Sequence, residues 1–374
     1  PQSWIDAVQA TISACIAALG DRRSEVRGIG VSGQQHGLVV LDENDEVVRP
    51  AKLWCDTSTA DQCDQFAAAF GGQSGLIEKT GNAMLPGYTA PKIRWWKNHR
   101  PEAYARLDTI LLPHDFINYY LTGERSMEYG EASGTGLLDI RGRCWHRGVL
   151  QALDSERDLA ACLPPLVVAR DSVGRLRDGV AAQLGLPAGI PVAAGGGDNM
   201  MAAIGTGNTV AGRMTVSLGT SGTLFAYSDA PVIDAGGQLA AFCASSGGWL
   251  PLLCTMNCTV ATELTRNLLG LDTAELEAAV ATAALGSGGV MTLPFFNGER
   301  TPNLPNGKGC VFGLEEGNYT RANLLRSAME AACYGLRTGL DAFQRLGCEV
   351  HEVRVTGGGA GSASWRQMLA DIFA

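Results

Sequence analysis

An α/β fold in two domains is what this sequence predicts, and three observations carry the prediction. The chain has 374 residues, 46% of them hydrophobic, which is more than one ordinary core accommodates. Segments with the two-residue period of strands alternate with segments of helical period, the order of an α/β protein. A Gly- and Pro-rich stretch, GLPAGIP at 185–191, interrupts the middle of the chain, and the pattern restarts after it. The expected division is 1–188 and 189–374.

Each element follows from local pattern. In SWIDAVQATISACIAAL (3–19), Trp4, Val8, Ile12, Cys15 and Leu19 recur at helical spacing, and Ser3 is placed to cap the start. Residues 26–31 and 38–41 read as strands, and Asp42 to Asp45 as the turn that follows. TILLPHDFINYYLTG (109–123) reads as a short strand and then a helix that stops at Gly123. SGTGLLDI (133–140) is a glycine-punctuated loop and strand. In the second half, 191–194 is a strand, 199–204 a helix, and TVSLGTSGTLFAYS (215–228) a hairpin folded about Gly219 to Gly222. Residues 320–347 form one long helix, with Gly335 and Gly339 as close-packing points. HEVRVTGGGAGS is a strand running into glycines, and SWRQMLADIF the helix that follows.

The formal net charge of −9 argues against nucleic acid or a polyanionic surface as the main partner. The 11 cysteines are scattered singly, without a CxxC or a metal-ligand spacing, and read as reduced thiols of a cytoplasmic protein. No metal-binding residues are assigned. No apolar run reads as long enough to span a membrane.

Several motifs could carry chemistry. VAAGGGDNMM (192–201) runs an apolar strand into three glycines and stops on Asp198 and Asn199, so that an acid stands at a strand end as a cap or a working group. LGTSG (218–222) offers backbone N–H groups and the hydroxyls of Thr220 and Ser221 to an anion between Gly219 and Gly222, although a plain hairpin would look the same. TGGGAGSASWRQMLAD (356–371) turns a strand into a helix through Gly357, Gly358, Gly359 and Ala360, a place where backbone can approach a flat ring or a phosphate. It lacks the GxGxxG spacing of a dinucleotide site. SGQQHG (32–37) sets Gln34, Gln35 and His36 between two strands, donors and acceptors suited to a polyol. LWCDTST (53–59) adds Trp54, a flat face for a sugar's C–H surface, and the acceptor Asp56. GERTP (298–302) reads as a surface ion pair. A kinase for a small hydroxylated substrate uses a phosphate loop, an adenosine loop, a polar cluster and one acid. Asp198 is then the base near the attacking hydroxyl.

Taken together, these segments resemble the FGGY family of carbohydrate kinases, most closely its ketopentose-phosphorylating members. GYTAPKIRWWKN (87–98) is similar to the family's first signature and GCVFGLEEGNYTRANLLRSAME (309–330) to its second. VSLGTSGTLFA, LPFFNGERTP, GGGDN and VTGGGAGSASWRQMLAD also match in order and spacing. The resemblance implies two ribonuclease-H-like domains of the actin and hexokinase type, with MgATP in a cleft between them. It implies transfer of the γ-phosphate to a terminal hydroxyl of a ketopentose, D-xylulose first, with Asp198 as general base. Gln35, His36, Asp198 and Asn199 would hold the sugar; Gly219 to Gly222 would face the phosphates; Gly358, Gly359 and Ala360 would line the adenosine. Gln35 stands where close relatives often carry Met, and Ser58 where many have Arg. The family's opening strand with its DxGT turn is not in this sequence, and the chain stops inside the family's last region, so the fold is expected to be truncated at both ends. Relatives acting on ribulose, gluconate or glycerol, or a module that binds sugar or nucleotide without turnover, are the alternatives. A homodimer is the assembly to test for.

Overall fold

The computed structural model describes residues 1–374. Cα packing divides the chain into two units, residues 1–205 with 241–249, and residues 206–240 with 250–374. The expected boundary at 188/189 falls inside the first unit, in the connection that leads into its central strand.

The first unit opens with α1 (Gln2–Leu19). The helix starts two residues earlier than a Ser3 cap would place it, so Ser3 lies within the first turn. The helical stretch 2–25 contains an 18-residue window with a mean hydropathy of 1.2, long and apolar enough to cross a membrane by length and composition, which corrects the sequence reading. Their apolar side is nevertheless engaged: Trp4, Ile5, Val8 and Ile12 pack on the core beside them, the pattern of an amphipathic surface helix.

Then come β1 (Ile29–Gly33), β2 (Val39–Leu41), α2 (Ala60–Ala69), α3 (Thr89–His99), β3 (Thr109–Leu111), α4 (Pro113–Thr122), α5 (Tyr129–Ser133), β4 (Ser172–Arg175), α6 (Asp178–Leu184), β5 (Pro191–Gly197) and α7 (Asp198–Gly205). The central sheet runs β1–β5–β4. β1 and β5 are parallel, with Gly33 opposite Gly197, so both strands deliver their next residues at one end of the sheet. A second pair, β2 and β3, is antiparallel. Its apolar residues feed two clusters: Leu38, Val40, Ile93, Trp96 and Ile110 on one side, Val39, Leu41, Leu111 and Val192 on the other. Gly123 ends α4 in the left-handed conformation, as its sequence position predicts.

The second unit builds a four-stranded sheet in the order β8–β7–β6–β11, from β6 (Gly212–Leu218), β7 (Gly222–Ala226), β8 (Leu252–Thr255) and β11 (Val350–Thr356). β6 and β7 form the expected hairpin, and β11 lies parallel to β6. Three helices cover it: α8 (Thr259–Leu268), α9 (Thr273–Thr282) and α10 (Arg321–Arg345); β9 (Met291–Leu293) and β10 (Cys310–Phe312) pair beside them, and α11 (Ala363–Phe373) closes the chain. Gly339 of α10 is a true close-packing point, since a Cβ there would meet Leu253 at 3.1 Å and Leu224 at 3.3 Å. Gly335 is not; it faces open space. GERTP is no surface ion pair. Glu299 is buried, and its carboxylate accepts from Met256 N at 2.5 Å, Asn257 Nδ2 at 3.0 Å and Arg300 N at 2.8 Å, bracing the loop from within.

Candidate functional site

The polar turn after β1 and the acid after β5 meet in the first unit. The three glycines of β5 explain how. Gly195 has φ +67°, and a Cβ on it would lie 2.1 Å from the Val31 carbonyl oxygen, so only glycine passes the register shift between β1 and β5. A Cβ on Gly197 would lie 2.3 Å from Glu131 Oε1 and 2.8 Å from Gln35 Cγ. The missing side chain is the space those two residues use.

α7 begins at Asp198 with no intervening loop. Its carboxylate is exposed, and Oδ1 accepts from Asn199 N at 2.8 Å and Asn199 Nδ2 at 3.1 Å. The surrounding protein raises its pKa above the ordinary aspartate value, against the lowering effect of those two bonds. Asn199 Nδ2 also donates to Gln35 Oε1 at 3.3 Å, which joins the two strand ends. Gln35 itself is buried, and its Nε2 has no protein partner.

His36 adopts φ +67°, a conformation few residues other than glycine accept. Its Nδ1 lies 2.7 Å from the Gly134 carbonyl, and its ring stacks on Tyr88 at 4.8 Å and 25°. A carbonyl only accepts, so Nδ1 carries the proton, and Nε2 is the acceptor nitrogen of the neutral ring. The His36 carbonyl accepts from Lys92 Nζ at 2.8 Å and Thr89 Oγ1 at 3.2 Å.

Trp54 is 47% exposed, enough to offer its face. Asp56 is engaged: Oδ2 accepts from Lys52 Nζ at 2.6 Å, and Oδ1 from Ser58 N at 3.0 Å and Ser58 Oγ at 2.6 Å. Partial burial would raise its pKa, but the bonds to Lys52 and Ser58 prevail and bring it down to about 2. Asp56 thus shapes the loop that carries Trp54.

Sequence reasoning missed the acids behind the turn. Glu128 and Glu131 of MEYGEAS are fully buried, and neither Glu131 oxygen has a protein partner. Burial pushes Glu128 up to about 7. Glu131 is pushed well above the carboxylate range by burial, then by the negative fields of Asp115, Glu128 and Asp198. The available signal was two acids three apart next to small residues, a spacing equally common on solvated helices.

In the second unit, the hairpin tip and the glycine turn are neighbours. Carbonyls of Gly219 and Thr220 accept from Thr259 N at 3.0 Å and Cys258 N at 2.9 Å, which anchors the tip on the start of α8. Thr220 and Ser221 are exposed at that tip, Gly219 is half-buried and Gly222 buried. Gly357 has φ +86°, and a Cβ on it would lie 2.7 Å from the Leu218 carbonyl oxygen; on Gly359 it would lie 2.8 Å from Leu218 Cβ. The turn after β11 therefore packs directly on the last residue of β6. A Cβ on Gly358 would meet nothing within 4 Å, and Ala360 is half-buried beside it. The N-terminus of α11, by contrast, is already occupied. Glu277 of α9 accepts from Ser364 N and Ser364 Oγ, both at 2.8 Å, and from Ser362 Oγ at 2.6 Å. The donors at this helix end are therefore taken by Glu277, whereas Thr220 and Ser221 stay exposed at the hairpin tip.

Models of the FGGY family of carbohydrate kinases match nearly the whole chain, the N-terminal domain at residues 1–205 and the C-terminal domain at 214–374. The chain is 45% identical over 378 residues to a xylulose kinase of Haemophilus influenzae, spanning 100% of this chain and 76% of that protein. It is 37% identical over 377 residues to the xylulose kinase of Escherichia coli, spanning 100% and 75%. Among solved structures, a xyloylose kinase from Brucella ovis superposes with a TM-score of 0.92 at 33% identity, covering 100% of this chain and 76% of that one.

Proposed function

Since the chain belongs to the FGGY family of carbohydrate kinases, we propose that it transfers the γ-phosphate of ATP to D-xylulose, giving D-xylulose 5-phosphate. The observation that carries this reading is the meeting of Gln35, Asn199 and Asp198 at one end of two parallel strands, through the 3.3 Å bond between the two amides. The names of the relatives supply the sugar.

In this reading Asp198 is the base. Asn199 fixes Oδ1, and the second carboxylate oxygen takes the proton of the sugar's terminal hydroxyl as that oxygen attacks phosphorus. A raised pKa makes Asp198 a stronger base than a free aspartate. His36 Nε2 accepts from a sugar hydroxyl, because Nδ1 is committed to Gly134. The amides of Gln35 and Asn199 present both donors and acceptors, and Trp54 offers an apolar face to the sugar's carbons. Asp56 supports that loop through Lys52 and Ser58.

The residues of the second unit fit a nucleotide. Thr220 and Ser221, between Gly219 and Gly222, would hold the phosphates, and Gly358, Gly359 and Ala360 would lie along the adenosine. The contact of both segments with Leu218 keeps them at a fixed spacing. ATP supplies the transferred phosphoryl group. Mg2+ belongs to the nucleotide in this reading, since magnesium is commonly carried by substrate phosphates. The cytoplasm is the compartment we assign, where ATP is abundant and the eleven free cysteines stay reduced.

The test is ADP release with D-xylulose, L-xylulose, D-ribulose, glycerol and gluconate, run beside Asp198→Asn. We expect preference for D-xylulose and a loss of about 10²–10⁴-fold in kcat for the variant. Preference for another sugar would replace the substrate and keep the base. No turnover of any of the five would sink the reading.

A further inference from the structure

Lys92 is fully buried, yet no carboxylate pairs with it. Its Nζ donates to two backbone carbonyls, His36 at 2.8 Å and Gly87 at 2.5 Å. Burying an ammonium without an ion pair is unfavourable, and a methionine or leucine would fill the same space at lower cost. What the lysine provides is a pair of donors at a place where no backbone N–H reaches.

Both acceptors matter to the site. His36 sits at φ +67°, so its carbonyl points where neither a strand nor a helix would satisfy it. Lys92 and Thr89, both on α3, take that carbonyl from behind. In front, Gly134 takes the ring. The Gly87 carbonyl belongs to the turn pressed against the Trp54 loop: a Cβ on Gly87 would lie 2.8 Å from the Trp54 carbonyl oxygen. One amine therefore joins α3 to the His36 turn and to the segment next to Trp54.

We propose that Lys92 is a positioning residue for sugar recognition, holding His36 in its left-handed conformation so that the imidazole meets a substrate hydroxyl at a fixed place. The inference rests on the sugar-kinase reading above, because it needs His36 to touch the sugar. Burial pulls the Lys92 amine down to about 7, with Asp56 acting in the opposite sense. The amine donates to carbonyls in either protonation state, so its anchoring needs no permanent charge.

The test compares the purified enzyme with Lys92→Met and Thr89→Val, measuring kcat and KM for D-xylulose and for ATP. We expect Lys92→Met to raise the sugar KM about 10-fold or more, and Thr89→Val about 3-fold, with the KM for ATP unchanged in both. A variant that merely loses stability lowers the active fraction and hence kcat, and leaves both KM values in place. Nitrogen NMR of histidine-labelled enzyme gives a second readout: the Nδ1–H signal of His36 shifts or broadens in Lys92→Met. An unchanged sugar KM in folded Lys92→Met overturns the proposal while the kinase reading stands. If Lys92→Met does not fold, an unchanged sugar KM in Thr89→Val overturns it. If the parent enzyme phosphorylates no sugar, the reading beneath both fails instead.

Discussion

The α-carbon of Gly134 carries no side chain because the His36 ring stands there: a Cβ would lie 2.4 Å from its Nδ1 and Cε1. The backbone of Gly134 itself is ordinary, with φ −82° and ψ 0°. Gly134→Ala should therefore fold, at an overpacking cost of about 1–3 kcal/mol. It should displace the imidazole and raise the sugar KM about 10-fold, with the KM for ATP unchanged. An unchanged sugar KM in that variant would mean His36 is not a sugar contact. At this scale the sequence was legible where motif residues cluster. Gln35, Asp198 and Asn199 come together, a grouping that only the family resemblance implied. It was illegible where function depends on what lies behind them. Lys92, Glu131 and Gly134 are recognisable only once burial is known, since lysine, glutamate and glycine at such positions are ordinary surface residues.

At the scale of elements, Glu277 joins α9 to the start of α11, and the order of the effects on its pKa is informative. Burial raises it, but the bonds from Ser362 and Ser364 prevail, so it lies below the ordinary glutamate range in the folded state. A depressed carboxylate lends stability that is present at neutral pH and lost as pH falls through the folded value. Glu277→Gln should cost about 1 kcal/mol in urea denaturation at neutral pH, and parent and variant should converge in acid. A constant difference across that range would show that the charge is not what stabilises the helix start. Gly359→Ala tests the neighbouring turn. With its Cβ against Leu218, it should weaken ATP binding by calorimetry while D-xylulose binding is unaltered, and equal losses of both would count against an adenosine role. The strands, the hairpin and the long helix were readable because period and turn residues agree. The occupied start of the last helix was not legible, because nothing local shows that a carboxylate 87 residues earlier reaches Ser364.

For the whole molecule, the two units have separate cores. One cluster centres on Val216, Leu224, Leu336 and Phe343; the others, around Phe66 and Trp96 and around Leu111 and Val192, lie in the first unit. Scanning calorimetry should therefore resolve two unfolding transitions. D-xylulose should raise one and a non-hydrolysable ATP analogue the other, each by about 2.7 kcal/mol at a hundredfold excess over Kd. A single transition raised equally by either ligand would contradict that assignment. The two-domain α/β class was legible from alternation and length, whereas the return of residues 241–249 to the first unit was not, since it depends on contacts such as Cys243 N to Ser133 Oγ at 2.9 Å.

The pairing of Gly33 with Gly197 also bears on how such a site can diversify over generations. Asp198 follows its strand directly, and Gln35 stands two residues beyond the other. An inserted or deleted residue in either place moves the chain by about 3.3 Å, as much as the whole 3.3 Å reach between Asn199 and Gln35. If Gln35, His36 and Asn199 hold the sugar as proposed, descendants of this chain change it by exchanging side chains at 34–36 and 199, while a change of length at either strand end parts Asn199 from Gln35.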